Sequence, residues 1–168
     1  MDKKKVVLRQ EVYKNDAVKI IDWLEDDEVN RYLNESSMAS NDVRYVVNNI
    51  NMPILTHIFN QNGSFFIIDK DREPIGFLKL VPKGKNMEMV VAIGEKQQWG
   101  KGLGPCAIFE GLKEAFFNWR VDEVVAKIKD NNHRSKKAFT KVGFDEDVKL
   151  TKEIQYSISM KNFLKIAA

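Results

Sequence analysis

The stretch Ile93–Pro105, with the sequence IGEKQQWGKGLGP, decides the fold prediction for this chain. It joins an apolar, strand-like run, Met87–Ile93, to an apolar, helix-like run, Pro105–Trp119. Three glycines stand at every second position, at residues 100, 102 and 104. Glycine exposes its backbone N–H group and tolerates positive φ, and the first amides of a helix have no partners within that helix. A glycine-rich loop that opens a helix therefore predicts a site for a phosphate or pyrophosphate.

The spacing of the glycines excludes the two common nucleotide motifs. A dinucleotide fingerprint reads G-x-G-x-x-G, whereas residues 100–104 read G-x-G-x-G. A P-loop needs four residues between its glycines and then Lys-Ser/Thr, whereas five residues separate Gly94 from Gly100 and Lys101 is followed by Gly102. The alternative is a connection that binds no ligand. Three glycines in five residues, beside Lys101, favour the phosphate site over that alternative.

The composition of the whole chain predicts one globular domain, residues 1–168. Hydrophobic residues make up 43% and charged residues 30%, which is typical of soluble domains. The net charge of +3 is too small to indicate a nucleic-acid partner. Cys106 is the only cysteine, so no internal disulfide can form and a reducing compartment fits. The basic run Lys3–Lys5 precedes an apolar run that is too short for a signal peptide. No run approaches the roughly 18 apolar residues of a membrane span. The sequence predicts a cytoplasmic protein without a membrane partner.

The order of the predicted elements indicates a fold class. Hairpin-like strands come first, and a strand–helix–strand–helix section follows. The elements are a strand Val6–Arg9, a helix capped by Asp16, a helix between Ser40 and Pro53, strands Phe65–Ile68, Ile75–Leu80 and Met87–Ile93, a helix to about Trp119, a strand Val121–Lys129, a helix His133–Val142, and strands Val148–Leu150 and Ile154–Met160. We therefore predict a three-layer α/β/α sandwich with a mixed, mostly antiparallel sheet of six to seven strands.

The segment Asn132–Phe144, NHRSKKAFTKVGF, connects the chain to a family. Its pattern of Asn132-x-x-Ser135, then an aromatic, then K-x-G-F resembles the second conserved segment of the GCN5-related N-acetyltransferases. The glycine loop, W-x-x-G-x-G, resembles the acetyl-CoA loop of that family, Q/R-x-x-G-x-G/A. Trp99 departs from the usual Gln or Arg and so removes a polar side chain from the loop. Residues 23–33 resemble the branch that contains ribosomal-protein N-terminal acetyltransferases and some aminoglycoside acetyltransferases.

The resemblance implies acetyl-CoA as co-substrate and a set of residues that bind it. Loop amides would hold the pyrophosphate, the pantetheine arm would lie along the preceding strand, and Asn132 would contact that arm. Lys101 and Lys136 would meet phosphate charge, although Lys136 fits a solvated helix face equally well. The predicted cofactor-binding residues are Val91, Ala92, Ile93, Trp99, Gly100, Lys101, Gly102, Leu103, Gly104, Asn132, Lys136 and Phe139.

Transfer of an acetyl group to an amine needs a base and an acid. A primary amine with a pKa of ~10.4 is neutral in only about one molecule in a thousand near pH 7, so a base or a water relay assists the attack. Glu88 is the predicted base, and an exposed strand residue is its alternative. Phe139 occupies the position of the family's usual tyrosine acid and cannot donate a proton. Ser135 is the predicted substitute, against the alternatives of a local backbone bond and of protonation by solvent or by the departing ammonium.

Other polar and aromatic residues receive simpler interpretations. Cys106 is expected to be a packed small residue, because no partner base is visible near it. His57 and His133 have no companions at metal-ligand spacing, so no metal site is predicted. The acidic run Glu25–Glu28 fits a solvated helix end, or a surface that attracts a cationic amine. Trp23 and Tyr32 are predicted to lie in the core.

The sequence thus predicts an N-acetyltransferase that acetylates a primary amine by direct attack in a ternary complex. The candidate acceptors are a protein N-terminus, a polyamine and an aminoglycoside-like small molecule. The alternative from another class is a CoA-binding sensor or interaction module with weak or no catalysis. The sequence leaves the oligomeric state open, with a homodimer as one option.

Overall fold

A seven-stranded sheet in the order β1-β2-β3-β4-β5-β7-β6 is the middle layer of the computed structural model, which describes residues 5–33 and 39–168. Every neighbouring pair is antiparallel except β4 and β5, which are parallel. The strands are β1 (Val7–Arg9), β2 (Ser64–Lys70), β3 (Glu73–Lys83), β4 (Asn86–Ile93), β5 (Glu123–Lys129), β6 (Asp145–Lys149) and β7 (Glu153–Ser159). The predicted fold class, a mixed and mostly antiparallel sheet between helical layers, is confirmed.

Helices cover both faces of the sheet and enclose two apolar cores. They are α1 (Lys14–Glu25), α2 (Asp27–Asn30), α3 (Ala39–Asn49), α4 (Thr56–Phe59), α5 (Leu103–Lys113), α6 (His133–Val142) and α7 (Met160–Ala167). Alternate side chains of a strand point to opposite faces, and in β2 Phe65 and Ile67 pack beneath α1–α4, whereas Phe66 and Ile68 pack beneath α5–α7. Each core therefore takes half of the apolar residues of the central strands.

The first predicted helix is two helices, and its predicted cap is wrong. α1 begins at Lys14, and Asp16 lies in its first turn, where its carboxylate accepts a hydrogen bond from the Tyr13 amide at 2.8 Å. The same carboxylate forms a salt bridge with Arg9 at 2.7 Å, and the residue at the cap position of α1 is Tyr13. Asp26 is the residue that caps, because its side chain accepts from the amides at the start of α2.

The end of the chain also differs from its prediction. The strand predicted to reach Met160 stops at Ser159, whose hydroxyl accepts from the Asn162 amide at 3.1 Å and begins α7. α7 packs Phe163 into the core beneath the sheet. The helix predicted to reach Trp119 is α5 followed by a π turn over Glu114–Asn118. β6 begins at Asp145, three residues before the start predicted for that strand, Val148.

Gly94 allows the close approach that fixes the end of β4. The amides of Gly94 and Glu95 both donate to the Ile75 carbonyl, at 2.7 and 3.1 Å. A Cβ atom at residue 94 would lie 2.2 Å from the ring of Trp23. That ring is 4% exposed, and its Nε1 donates to the Glu95 carboxylate at 3.1 Å. The position therefore accommodates only glycine without displacing the ring or the strand end.

We expect Gly94→Ala to destabilise the fold by about 1–3 kcal/mol, because overpacking a buried aromatic ring costs that much. The melting temperature falls by roughly 2–4 °C per kcal/mol in a chain of this size, which thermal and urea denaturation will measure. Gly104→Ala is the matched control, since its Cβ would lie 3.8 Å from the Cβ of Ala138, an ordinary contact. Equal stabilities of the two variants would contradict the packing argument.

Candidate active site

A cleft opens in the sheet where β4 and β5 part. The two strands pair only from Asn86 to Glu88 on β4. Beyond that point β4 stays paired with β3 up to Ile93, and β5 stays paired with β7 up to Lys129. Because each strand follows a different neighbour, they diverge and leave a cleft of about 430 Å³. Residues 89–93 of β4 thus present a backbone edge to the cleft that no strand of the described residues pairs.

The glycine loop supplies a run of unengaged amides at one end of this cleft. Gly100 and Gly102 have φ values of 76° and 74°, which favour glycine, and Gly102 precedes the first residue of α5. No acceptor among the described residues bonds the amides of residues 100–104. The Trp99 amide, by contrast, donates to the Lys96 carbonyl at 3.1 Å. The available amides therefore begin at Gly100 and reach into the first turn of α5.

Trp99 and Arg134 form a stack that was not predicted from the sequence. The indole Nε1 of Trp99 donates to the Ile93 carbonyl at 2.8 Å. The guanidinium carbon of Arg134 lies 3.6 Å from the centroid of the Trp99 ring. Burial lowers the pKa of Arg134, and the neighbouring Tyr32 and Glu28 partly oppose that shift. Both members of the stack line the cleft.

Asn132, Ser135 and Phe139 are brought together on the cleft side of α6. Asn132 is 7% exposed and caps α6: its Oδ1 accepts from the Ser135 amide at 3.1 Å, and its Nδ2 donates to the Ser135 hydroxyl at 2.9 Å. Phe139 is buried and meets Phe144 edge to face, with ring centroids 5.0 Å apart. The cap thus fixes the position of the serine oxygen, and the phenylalanine contributes an apolar wall.

The lysines that line the cleft differ from those predicted from the sequence to meet phosphate. Lys136 donates to the Asp130 carbonyl at 2.5 Å, and Lys101 lies 3.5 Å from the side-chain oxygen of Gln98. The cleft is lined instead by Lys127, Lys137 and Lys141, together with Arg134. Residues 134, 137 and 141 follow helical spacing and share one side of α6, a signal that the sequence did contain.

Glu88 lies at the vertex of the cleft, at the last position where β4 pairs with β5. Its side chain is 17% exposed. The Oε2 atom is 3.9 Å from the Lys83 ammonium and 4.0 Å from the Lys127 ammonium. A carboxylate at this place, between two cations and open to the cleft, can accept a proton from a group bound there.

Two aromatic predictions have different outcomes. Trp23 lies in the core, as predicted. Tyr32 does not: it lines the cleft, because α2 ends at Asn30 and the chain that follows runs along the cleft. The Lys129 ammonium holds this segment by donating to the carbonyls of residues 31 and 33, at 3.0 and 3.4 Å.

The remaining residues that carry chemistry lie outside any cluster. Cys106 is partly buried and packs against the core beneath α5, and both histidines are exposed. Within residues 5–33 and 39–168, no three His, Cys, Asp or Glu side chains are grouped as metal ligands would be.

In the acidic run Glu25–Glu28, the Asp26 carboxylate forms a salt bridge with the Lys96 ammonium at 2.9 Å, which lowers the pKa of that carboxyl. In the same described ranges, no helix has the length and apolar character that crossing a membrane requires.

Solved acetyltransferases share the fold at low sequence identity. The spermidine N-acetyltransferase from Vibrio cholerae, in complex with CoA and spermine, superposes with a TM-score of 0.76 at 16% identity, over 96% of this chain and 99% of that chain. An aminoglycoside acetyltransferase, AAC(6')-Ib, in complex with coenzyme A and kanamycin, gives 0.78 at 16% identity, over 97% and 99%. A GNAT-family acetyltransferase from Bacillus anthracis gives 0.74 at 17% identity, over 94% and 96%.

A comparison with protein-family models tests the family resemblance that the glycine loop and the segment Asn132–Phe144 indicated. No curated protein sequence matches the chain. The model of the acetyltransferase (GNAT) domain matches residues 5–145, most of the chain. The predicted family and enzyme class are therefore confirmed, whereas the finer resemblance to ribosomal-protein acetyltransferases stays a prediction. The chain belongs to the GNAT acetyltransferase family.

Proposed function

We propose that this protein is an acetyl-CoA-dependent N-acetyltransferase that acetylates a primary amine by direct attack in a ternary complex. One observation carries the proposal: the unpaired edge of β4 and the unengaged amides of residues 100–104 border the same cleft. An extended arm with amide groups can add to a strand edge, and a diphosphate suits amides at a helix N-terminus. Coenzyme A combines both chemical features in one molecule.

The residues around the cleft fit that cofactor. The backbone of Val91, Ala92 and Ile93 is the edge that would bond the pantetheine arm. The amides of residues 100–104 would hold the diphosphate. Asn132 and the apolar wall of Phe139 stand opposite, on α6. Acetyl-CoA, when bound, supplies the thioester from which the acetyl group is transferred.

Glu88 and Ser135 are the proposed proton carriers. Glu88 accepts a proton from the bound ammonium, directly or through a water molecule, and the neutral nitrogen then bonds the acetyl carbon. The sulfur leaves as the C–S bond breaks, and the Ser135 hydroxyl gives it a proton. The serine regains that proton, through water, from the nitrogen, which loses it as the amide forms. The serine oxygen already accepts from Asn132 Nδ2, so its own O–H is directed elsewhere and is available as a donor. Phe139 takes no part in proton transfer.

The acceptor is proposed as a protein N-terminus, a polyamine or an aminoglycoside-like small molecule. The structural neighbours support the small cationic amines as the first to test, since one is named for spermidine and another was solved with kanamycin. A single domain over residues 1–168, a cytoplasmic location and a homodimer stay expectations of the sequence.

Two measurements test the proposed function. Isothermal titration with acetyl-CoA should give binding heat, and thermal denaturation should show a stabilised fold, because a ligand that binds only the native state raises its stability. Release of free CoA thiol should then be followed with spermidine, spermine, kanamycin and a peptide with a free N-terminus. Absence of both heat and thermal shift would overturn the proposal. Binding without thiol release from any amine would favour the CoA-binding module instead.

A further inference from the structure

Arg134 holds a positive charge at a fixed place beside the glycine loop. Its guanidinium carbon lies over the Trp99 ring, 3.6 Å from the ring centroid, and the indole is itself held by its hydrogen bond to the Ile93 carbonyl. Trp99 directly precedes Gly100, where the run of unengaged amides begins. A guanidinium stacked on an aromatic face keeps its in-plane N–H donors free. The N–H donors of Arg134, which lines the cleft, therefore remain available to a bound anion.

Arg134 also lacks a counter-ion. Among residues 5–33 and 39–168, no carboxylate forms an ion pair with it, and the nearby Glu28 pairs with Lys96 at 3.7 Å instead. Arg134 is exposed at the cleft, so its charge is open to an anion that enters there. Contact with its neighbours buries part of the side chain and lowers the pKa of Arg134. A bound anion would therefore meet an unpaired positive charge beside the loop amides.

We propose that Arg134 is a cofactor-specificity residue that binds the diphosphate of CoA, in place of the polar side chain that the loop lacks at residue 99. The inference rests on the proposed function and adds a side chain that neither motif assigned to the cofactor. A planar guanidinium matches two phosphate oxygens at once, and the stack holds it in place before the ligand arrives. Trp99 then acts as the platform for the arginine rather than as a contact of its own.

The test uses three ligands that differ in their phosphates. Acetyl-CoA carries the diphosphate and the 3'-phosphate, 3'-dephospho-CoA keeps only the diphosphate, and S-acetylpantetheine has neither. We expect Arg134→Ala to weaken acetyl-CoA and dephospho-CoA by about 10- to 100-fold and to leave S-acetylpantetheine unchanged. Titration calorimetry measures the first two, and thermal shift at millimolar concentration measures the third. Arg134→Lys should recover part of the loss, since lysine keeps the charge but not the fork or the stack.

Three results would overturn this inference alone: unchanged affinities, equal losses for all three ligands, or a loss confined to acetyl-CoA, which would place Arg134 at the 3'-phosphate. Lys165→Ala is the control, because it removes the same charge from an exposed position of α7. This variant should bind all three ligands as the wild type does. A wild-type chain that binds none of the three ligands would overturn the proposed function as well, so the two failures are distinguishable.

Discussion

Gly102→Glu should lower the affinity for acetyl-CoA by at least about 100-fold. Gly102 has a φ of 74°, and a left-handed backbone costs a side-chain-bearing residue about 1–2 kcal/mol. The larger effect is electrostatic, because the new carboxylate would stand beside the proposed diphosphate. Two like charges about 4 Å apart repel by about 4 kcal/mol at an effective dielectric constant near 20, and each 1.4 kcal/mol or so corresponds to a factor of ten in affinity.

Gly84→Glu separates the electrostatic effect from the backbone strain. Gly84 has a φ of 64°, and a Cβ there, as at Gly102, would meet no atom within 4 Å. It lies in the turn between β3 and β4 and does not line the cleft. Calorimetry should therefore find normal acetyl-CoA binding in Gly84→Glu. A folded Gly102→Glu protein that binds acetyl-CoA as tightly as the wild type would show that the loop does not hold the diphosphate.

The parts of the site that the sequence predicted best are those with local signals. α6 has the predicted bounds, His133–Val142. Its start is marked by Asn132, whose side chain caps the first turn, and its end by Gly143, which has a φ of 123°. The glycine loop likewise depends on residues adjacent in the chain. Such signals act over one helical turn, so a single sequence contains them in full.

The cleft itself could not be predicted, because it depends on strand pairings between distant segments. Its opening is set by β4 and β5 separating after Glu88, and no local pattern encodes where a parallel pair ends. The place of Tyr32 was missed because the chain breaks at Asp26 and resumes as α2. The role of Arg134 could not be predicted because its partner, Trp99, is distant in the sequence. One helix, α5, and one strand, β5, separate the two residues along the chain, and only the fold brings them into contact.

Glu88→Gln should lower turnover by about 100-fold or more near neutral pH, within the range that general-base catalysis contributes, and should leave acetyl-CoA affinity unchanged. Glutamine keeps the shape of the side chain but cannot take the proton of the amine. The ion pairs lost are long, at 3.9 and 4.0 Å, and the Lys83 side chain is 56% exposed. Pairs of this kind contribute little to stability, so the variant should fold normally.

The pH dependence of the loss identifies the base. Without Glu88 the reaction depends on amine that is already neutral, and that fraction rises about tenfold per pH unit until the amine's pKa near 10.4. The ratio of wild-type to variant turnover should therefore be widest near pH 7 and narrow as the pH approaches about 10. Glu73→Gln, which changes an exposed carboxylate at the start of β3, should show the wild-type profile at every pH. If Glu88→Gln shows that profile too, the proton of the amine leaves by a water relay that does not involve Glu88.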